Sequence, residues 1–191
     1  EFRKSFLDFS KVTIDGTDLS KPPSEIRNLF FEYFKTDSFL GIYQKLAGQL
    51  NDEYNLANET LCFQLTPTPR VFTPGAHGTN WHCDYWYGHG KNSKTVWVPI
   101  LNIAPGSTFN AIKNAEDNYN LYNYYSKSPE LLSKKFDLMN AKTTQVCPGK
   151  NSAAIFETDV IHGSTENTTT LTRLSFDFRF TTIGDETSTK N

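Results

Sequence analysis

The chain has 191 residues, of which 37% are hydrophobic and 14% aromatic, and its formal net charge is -2. That length suits one compact domain that buries a core without covalent staples. The near-neutral charge points to neither nucleic acid nor an anionic membrane surface. No apolar run is long enough to span a bilayer and no signal peptide is visible. The sequence begins at Glu1 rather than Met, so any targeting segment upstream would lie outside it. Cys62, Cys83 and Cys147 form an odd set without a CxxC pair. That argues against a disulfide framework or a Cys-based zinc site and fits a reducing, cytoplasmic compartment. Fifteen Phe, nine Tyr and three Trp lean towards a β-rich fold, because aromatic rings pack well on pleated surfaces.

The first elements read as helices. After Pro22-Pro23-Ser24-Glu25, apolar residues at Ile26, Leu29, Phe30, Tyr33 and Phe34 recur at helical spacing. Leu40, Tyr43, Leu46, Ala47 and Leu50 continue the pattern into a second helix. From Thr60 the period changes. Residues 61–66 read as a strand ended by Pro67 and Pro69, and residues 95–101 as another, where Pro99 favours an edge or a bulge. A Tyr- and Leu-rich stretch within about 110–142 reads as an insert, with Ser128-Pro129-Glu130 as a helix start. Pro148-Gly149 marks a turn, and residues 153–156 form a buried strand. In the last strand Leu174, Phe176, Phe178 and Phe180 alternate with Arg173, Ser175, Asp177 and Arg179. Helices over 1–58 followed by a β-core over 60–182 give one α+β domain, its helices packed on a β-sandwich or jelly roll.

Trp81-His82-Cys83-Asp84 carries the first chemical signal. Residues i and i+2 of an extended segment share a face, so His82 and Asp84 would present an imidazole and a carboxylate side by side. His162, followed by Gly163 where the backbone can approach closely, supplies a third donor. Two His and one carboxylate leave three positions of an octahedral ion open, which is the facial set of Fe(II) oxygenases. Zinc hydrolases also use two His and a carboxylate, but no HExxH is present. His77 and His89 lie in Gly-containing loops and read as loop residues. Gly75, Gly78, Gly88 and Gly90 would make those loops a mobile lid.

Arg173 follows His162 by eleven residues, with Ser175 on the same face. A guanidinium and a hydroxyl can clamp a carboxylate through charge-assisted bonds. They would hold the far end of 2-oxoglutarate while its keto acid chelates iron. A structural salt bridge to Asp177 is the alternative use of Arg173 or Arg179.

The pattern His82-x-Asp84, His162, Arg173-x-Ser175 resembles the 2-oxoglutarate/Fe(II) dioxygenase superfamily. Residues 162–167 and 173–179 resemble its phytanoyl-CoA-hydroxylase-like group, and within it small bacterial members from streptomycin-type and surface-carbohydrate gene clusters. The resemblance covers about residues 60–182. It implies a double-stranded β-helix (jelly-roll, cupin-like) core and the cofactors Fe(II), 2-oxoglutarate and dioxygen. Hydroxylation of a small sugar-like or secondary-metabolite substrate, with release of succinate and CO2, is the implied reaction. It also suggests that Trp97 lines the cosubstrate pocket, although a packed core indole explains Trp97 equally. Tyr85 and Trp86, with Tyr87, could wall the substrate entrance or simply fill the core. Arg70 and Arg179 are candidates for a polar or anionic substrate group. Arg179 lies too far along the strand from Arg173 to share one small carboxylate, so it meets the substrate or pairs with an internal acid such as Asp177. The competing function is a non-catalytic cupin-like module that binds metal or sugar and has no need of Arg173-x-Ser175. The sequence shows no extended basic or hydrophobic docking surface for a macromolecular substrate, and it is silent on oligomeric state.

Overall fold

The computed structural model describes residues 1–12, 14–15, 18–19, 21–54, 61–101, 103–132, 141–149, 151–164 and 166–182. Three helices come first: α1 (Phe2–Ser10), α2 (Pro23–Tyr33) and α3 (Asp37–Tyr54), with the two-residue strands β1 (Ile14–Asp15) and β2 (Asp18–Leu19) between α1 and α2. Pro23 opens α2, where the missing N–H costs nothing, and Glu25 complements the dipole of its first turn. Sequence reading did not anticipate α1, although Phe2 and Phe6 stand one helical turn apart.

Two antiparallel sheets follow. The larger contains β3 (Leu61–Phe63), β4 (Thr68–Phe72), β5 (Lys94–Leu101), β8 (Ala154–Glu157) and β10 (Arg173–Thr182). In it β10 lies between β5 on one side and β3 and β4 on the other, and β5 continues to β8. The smaller sheet runs β7 (Thr143–Val146), β6 (Phe109–Ile112), β9 (His162–Ser164). His82 extends it through a single antiparallel bridge to His162.

Several expected boundaries move, each for a local reason. Pro69 does not end a strand. It lies inside β4, which among the described residues pairs only with β10, and an edge strand tolerates a residue without an N–H. The register of β5 against β10 shifts between Leu174 and Ser175, next to Pro99. β8 pairs β5 only as far as Trp97, so Pro99 removes no ladder bond on that side. The strand expected to be buried at 153–156 is β8, a half-buried edge strand. The insert occupies the β6–β7 connection and contains α4 (Ala115–Tyr125), which begins where the Asn114 side chain accepts the Glu116 N–H at 2.8 Å. Ser128-Pro129-Glu130 leads into a 3-10 turn over Pro129–Leu131, followed by helical Leu132, the last described residue before 141. Residues 133–140 of the insert lie outside the described ones.

The core sits between the helices and the outer face of the larger sheet. Leu174, Phe176, Phe178 and Phe180 of β10 and Val96, Val98 and Ile100 of β5 meet Phe6, Ile26, Phe30, Tyr33, Phe34, Phe39 and Tyr43. Phe176 touches Phe2 and Phe34 edge-on, with ring centroids 5.2 and 5.7 Å apart, and Tyr43 meets Phe178 at 4.9 Å. A second cluster gathers Cys83, Ile112, Leu121, Tyr125, Leu132 and Ile161, joining the insert to the smaller sheet. The three cysteines are unpaired, and burial pushes the Cys83 thiol up to about 12, so it packs as a small apolar group. No described helix is long and apolar enough to cross a membrane.

Phe176 is fully buried at the centre of the aromatic cluster. Phe176→Ala should therefore cost about 3–5 kcal/mol of stability by urea denaturation. Arg173, Ser175 and Asp177 lie on the other face of β10. A loss under about 1 kcal/mol would mean that the helices do not depend on this contact.

Candidate metal centre

The inner face of β10 carries Arg173, Ser175, Asp177 and Arg179. Cross-strand partners share a face, so the register lays out the site. On β5, Thr95 stands opposite Arg179, Trp97 opposite Asp177 and Pro99 opposite Ser175. On β4, Phe72 stands opposite Arg173 and Arg70 opposite Ser175. β6 and β9 close the space from the smaller sheet. Trp97 and Phe156 both meet Phe109, at 5.1 and 5.6 Å, and Phe156 meets His162 at 4.9 Å. The resulting pocket, about 40 Å³ in volume, is lined by Arg70, Phe72, Thr95, Trp97, Phe109, Phe156, His162, Arg173, Asp177 and Arg179, with Thr79 and Ser164.

His82, Asp84 and His162 converge beside this pocket, with one ligand atom of each lying within 4.8 Å of the others. Among the described residues this is the one such group of His, Cys, Asp or Glu. His82 and His162 exchange both backbone hydrogen bonds, at 2.9 and 2.8 Å, and their rings lie 4.4 Å apart. Gly163 makes the approach possible, since a Cβ there would stand 3.0 Å from the Trp81 backbone. Asp84 is not on a strand as the HxD spacing suggested. It opens a 3-10 turn (Asp84–Tyr87) after the extended Cys83, and the Tyr85 N–H donates to the Thr158 carbonyl at 2.9 Å. Gly78 packs directly against Ser164, so close contact rather than mobility accounts for that glycine.

The tautomers follow from the partners. His82 Nδ1 lies 2.6 Å from the Asn80 carbonyl and His162 Nδ1 2.9 Å from the Val160 carbonyl. A carbonyl only accepts, so each Nδ1 carries the proton and each Nε2 keeps its lone pair for a cation. Burial, then the neighbouring His162, lowers the His82 pKa to about 4, and burial lowers that of His162 as well. Burial alone would raise the Asp84 pKa, but Arg179, with the Thr95 hydroxyl, outweighs it and holds the carboxyl well below the usual carboxylate range. Two neutral imidazoles and a carboxylate suit a divalent first-row ion.

The acids and arginines form a chain of alternating charge. Asp84 Oδ2 accepts from Thr95 Oγ1 at 2.5 Å and from Arg179 at 2.8 and 3.2 Å. Arg179 Nη1 donates to Asp177 Oδ1 at 2.6 Å, and Arg70 Nε donates to Asp177 Oδ2 at 2.7 Å. Arg179 thus pairs with Asp177, and also with Asp84, which the sequence did not suggest. Arg173 stands apart. It is 3% exposed, stacks on Phe72 with its guanidinium carbon 4.3 Å from the ring centre, and donates to the Ser107 carbonyl at 3.2 Å. Burial, then repulsion from Arg70, lowers its pKa to about 10. Among the described residues, the buried Arg173 Nε and Ser175 Oγ meet no hydrogen-bond partner.

Trp97 and Arg70 line the pocket, and Arg70 keeps 29% of its side chain exposed. Tyr85 and Trp86 do not line it. Both lean on Tyr122 of α4, at 5.9 and 5.8 Å, and it is Tyr87 that meets His82, edge-on at 5.4 Å. Sequence reading missed Thr95, Phe109, Phe156 and Asn118. Asn118 of α4 accepts the Ile161 N–H at 2.7 Å and donates to the Asp159 carbonyl at 3.1 Å, tying down the residues before His162.

No protein-family model matches the sequence, and no curated protein resembles it in sequence. Solved structures do match. One is the non-haem α-ketoglutarate-dependent epimerase SnoN from nogalamycin biosynthesis, with a TM-score of 0.53 at 13% identity over 79% of this chain and 59% of that one. The non-haem monooxygenase ThoJ in complex with nickel gives 0.52 at 13% identity, over 78% and 55%. EvdO2 from Micromonospora carbonacea var. aurantiaca, complexed with 2-oxoglutarate, gives 0.53 at 12% identity, over 96% and 82%. The chain shares the fold of these enzymes. It spans little more than half the length of the first two.

Asn118→Leu should remove both ties to the segment before His162 and lower stability by about 1–3 kcal/mol, since the Ile161 N–H loses its partner. Asn114→Ala, which loses only the α4 cap, serves as the comparison at about 1 kcal/mol. Equal, small losses in both variants would show that the insert does not support His162.

Proposed function

We propose that this chain is a non-haem Fe(II), 2-oxoglutarate-dependent dioxygenase of the phytanoyl-CoA-hydroxylase-like group, built on a double-stranded β-helix core. It would hydroxylate a small sugar-like or secondary-metabolite substrate. The observation that carries this reading is Arg173: a buried guanidinium that lines the same pocket as His162 and has no carboxylate partner among the described residues, with the buried, unpartnered Ser175 hydroxyl two residues along the same strand. A buried cation is costly unless an anion meets it, so the pocket is suited to an incoming carboxylate. The shared fold with enzymes described as α-ketoglutarate-dependent, or solved with 2-oxoglutarate, supports the same reading.

In this reading His82 Nε2, Asp84 Oδ1 and His162 Nε2 hold the metal, with Nδ1 of each imidazole fixed by its backbone carbonyl. Arg173 and Ser175 hold the distal carboxylate of 2-oxoglutarate, while Trp97, Phe72, Phe109 and Phe156 keep water from that end of the pocket. Arg70, at the pocket and partly exposed, is the residue offered to substrate. Iron, with 2-oxoglutarate and dioxygen, would supply an oxidant able to take a hydrogen from substrate, with succinate and CO2 as coproducts.

Anaerobic Fe(II) plus 2-oxoglutarate should give a weak visible charge-transfer band, and aeration should release succinate. His162→Ala should lose Fe(II) binding at micromolar metal. No band and no succinate would favour the competing reading, a cupin-like module that holds zinc or nickel. Arg173→Ala should leave metal binding intact and weaken 2-oxoglutarate about ten- to a hundred-fold, the equivalent of roughly 1.5–3 kcal/mol for a charge-assisted contact. An unchanged requirement for 2-oxoglutarate would reassign the clamp.

A further inference from the structure

Asp84 has two oxygens, and the fold treats them differently. Oδ2 takes three donor contacts, from the Thr95 hydroxyl and from two nitrogens of Arg179. Oδ1 lies on the other side, 3.7 Å from His82 Nε2. We infer that Arg179 and Thr95 are positioning residues that keep Asp84 a one-oxygen metal ligand, so that a position on the ion stays open for the cosubstrate. The inference rests on the metal centre proposed above and extends it to two residues that need not touch metal or cosubstrate.

A carboxylate with both oxygens free can chelate a divalent ion through both. Two imidazoles and one oxygen leave three of six positions open, whereas two imidazoles and two oxygens leave only two. A keto acid chelating through two atoms, together with dioxygen, needs three. An oxygen that accepts three donors, two of them from a guanidinium, has no lone pair free and faces a positive neighbour, so it is a poor second ligand. The clamp is itself rigid. Arg179 keeps only 11% of its side chain exposed, its Nη1 is fixed at 2.6 Å by Asp177, and Asp177 is fixed in turn by Arg70. Thr95 is the direct neighbour of Arg179 across the β5–β10 ladder, so both donors reach Asp84 from one sheet.

The test uses Co(II) as probe, because its visible bands report coordination number. Metal-free full-length protein is titrated with Co(II), then with 2-oxoglutarate. Wild type should take up Co(II) with the weak absorption of a six-coordinate ion, and 2-oxoglutarate should change that spectrum. Arg179→Gln should alter the Co(II) bands before any cosubstrate is added and weaken 2-oxoglutarate by about 10–100-fold. Thr95→Val should shift the bands in the same direction by a smaller amount, and Arg179→Lys should recover part of the wild-type spectrum. A merely structural ion pair would lower thermal stability and leave the bands of the folded protein unchanged. Wild-type bands and wild-type 2-oxoglutarate affinity in Arg179→Gln, or in Thr95→Val should the former not fold, overturn the inference. Failure of the wild type to take up Co(II) would instead sink the metal centre itself, a result distinct from the first.

Discussion

β10 must satisfy two interiors at once. Its odd-numbered side chains from Arg173 to Arg179 point into the space between the sheets, and its even-numbered ones into the aromatic core under the helices. Arg173, Ser175 and Asp177 are nearly as buried as Leu174 and Phe176 between them. A guanidinium in such a place is unfavourable unless an acid is brought to it. Asp177 is supplied by the strand itself, and Asp84 by a turn anchored on Thr158. The position of Asp84 is therefore set as much by Arg179 and Thr95 as by its own backbone.

Much of this was legible in the sequence. The alternation in 173–180 identifies β10 and its two faces, because period-two patterning is what a strand between two layers requires. The spacing His82-x-Asp84 brings the donors together even though Asp84 starts a turn, since the extended Cys83 preserves the i, i+2 relation. What stayed hidden depends on contacts between distant residues. No local pattern shows that Thr95 reaches Asp84, eleven residues earlier in the chain, or that Asn118 of the insert ties down the peptides before His162. Tyr85 and Trp86 were open to two readings, a wall of the substrate entrance or core, for the same reason. Proximity to Asp84 in sequence suggested the pocket, but a 3-10 turn rotates successive side chains around its axis and sends both rings to α4. Pro69 misled because a proline reads as a strand end until the strand is known to be an edge.

The likeness to solved structures at 12–13% identity fits this division. A sandwich core accepts many apolar sequences of the right volume and pattern, so most positions are free to drift while the fold persists. The fold alone carries no chemistry. The functional reading therefore rests on the few inward polar positions, where substitution would leave a buried charge or hydroxyl without a partner.

Those positions also have an internal charge balance. Three guanidiniums, from Arg70, Arg173 and Arg179, face two carboxylates, from Asp84 and Asp177, with both imidazoles neutral. The pairings of Asp84 with Arg179 and of Asp177 with Arg179 and Arg70 leave Arg173 as the cation without an acid among the described residues. A divalent metal would add further positive charge and draw on Asp84, the acid Arg179 already shares. The protein therefore fits the metal best when anions arrive with it. A ligand carrying two carboxylates meets that demand at both ends, one near the ion and one at Arg173, whereas a neutral sugar alone would leave Arg173 uncompensated. That asymmetry makes a cosubstrate site a better physical account of the pocket than a simple sugar- or metal-binding module.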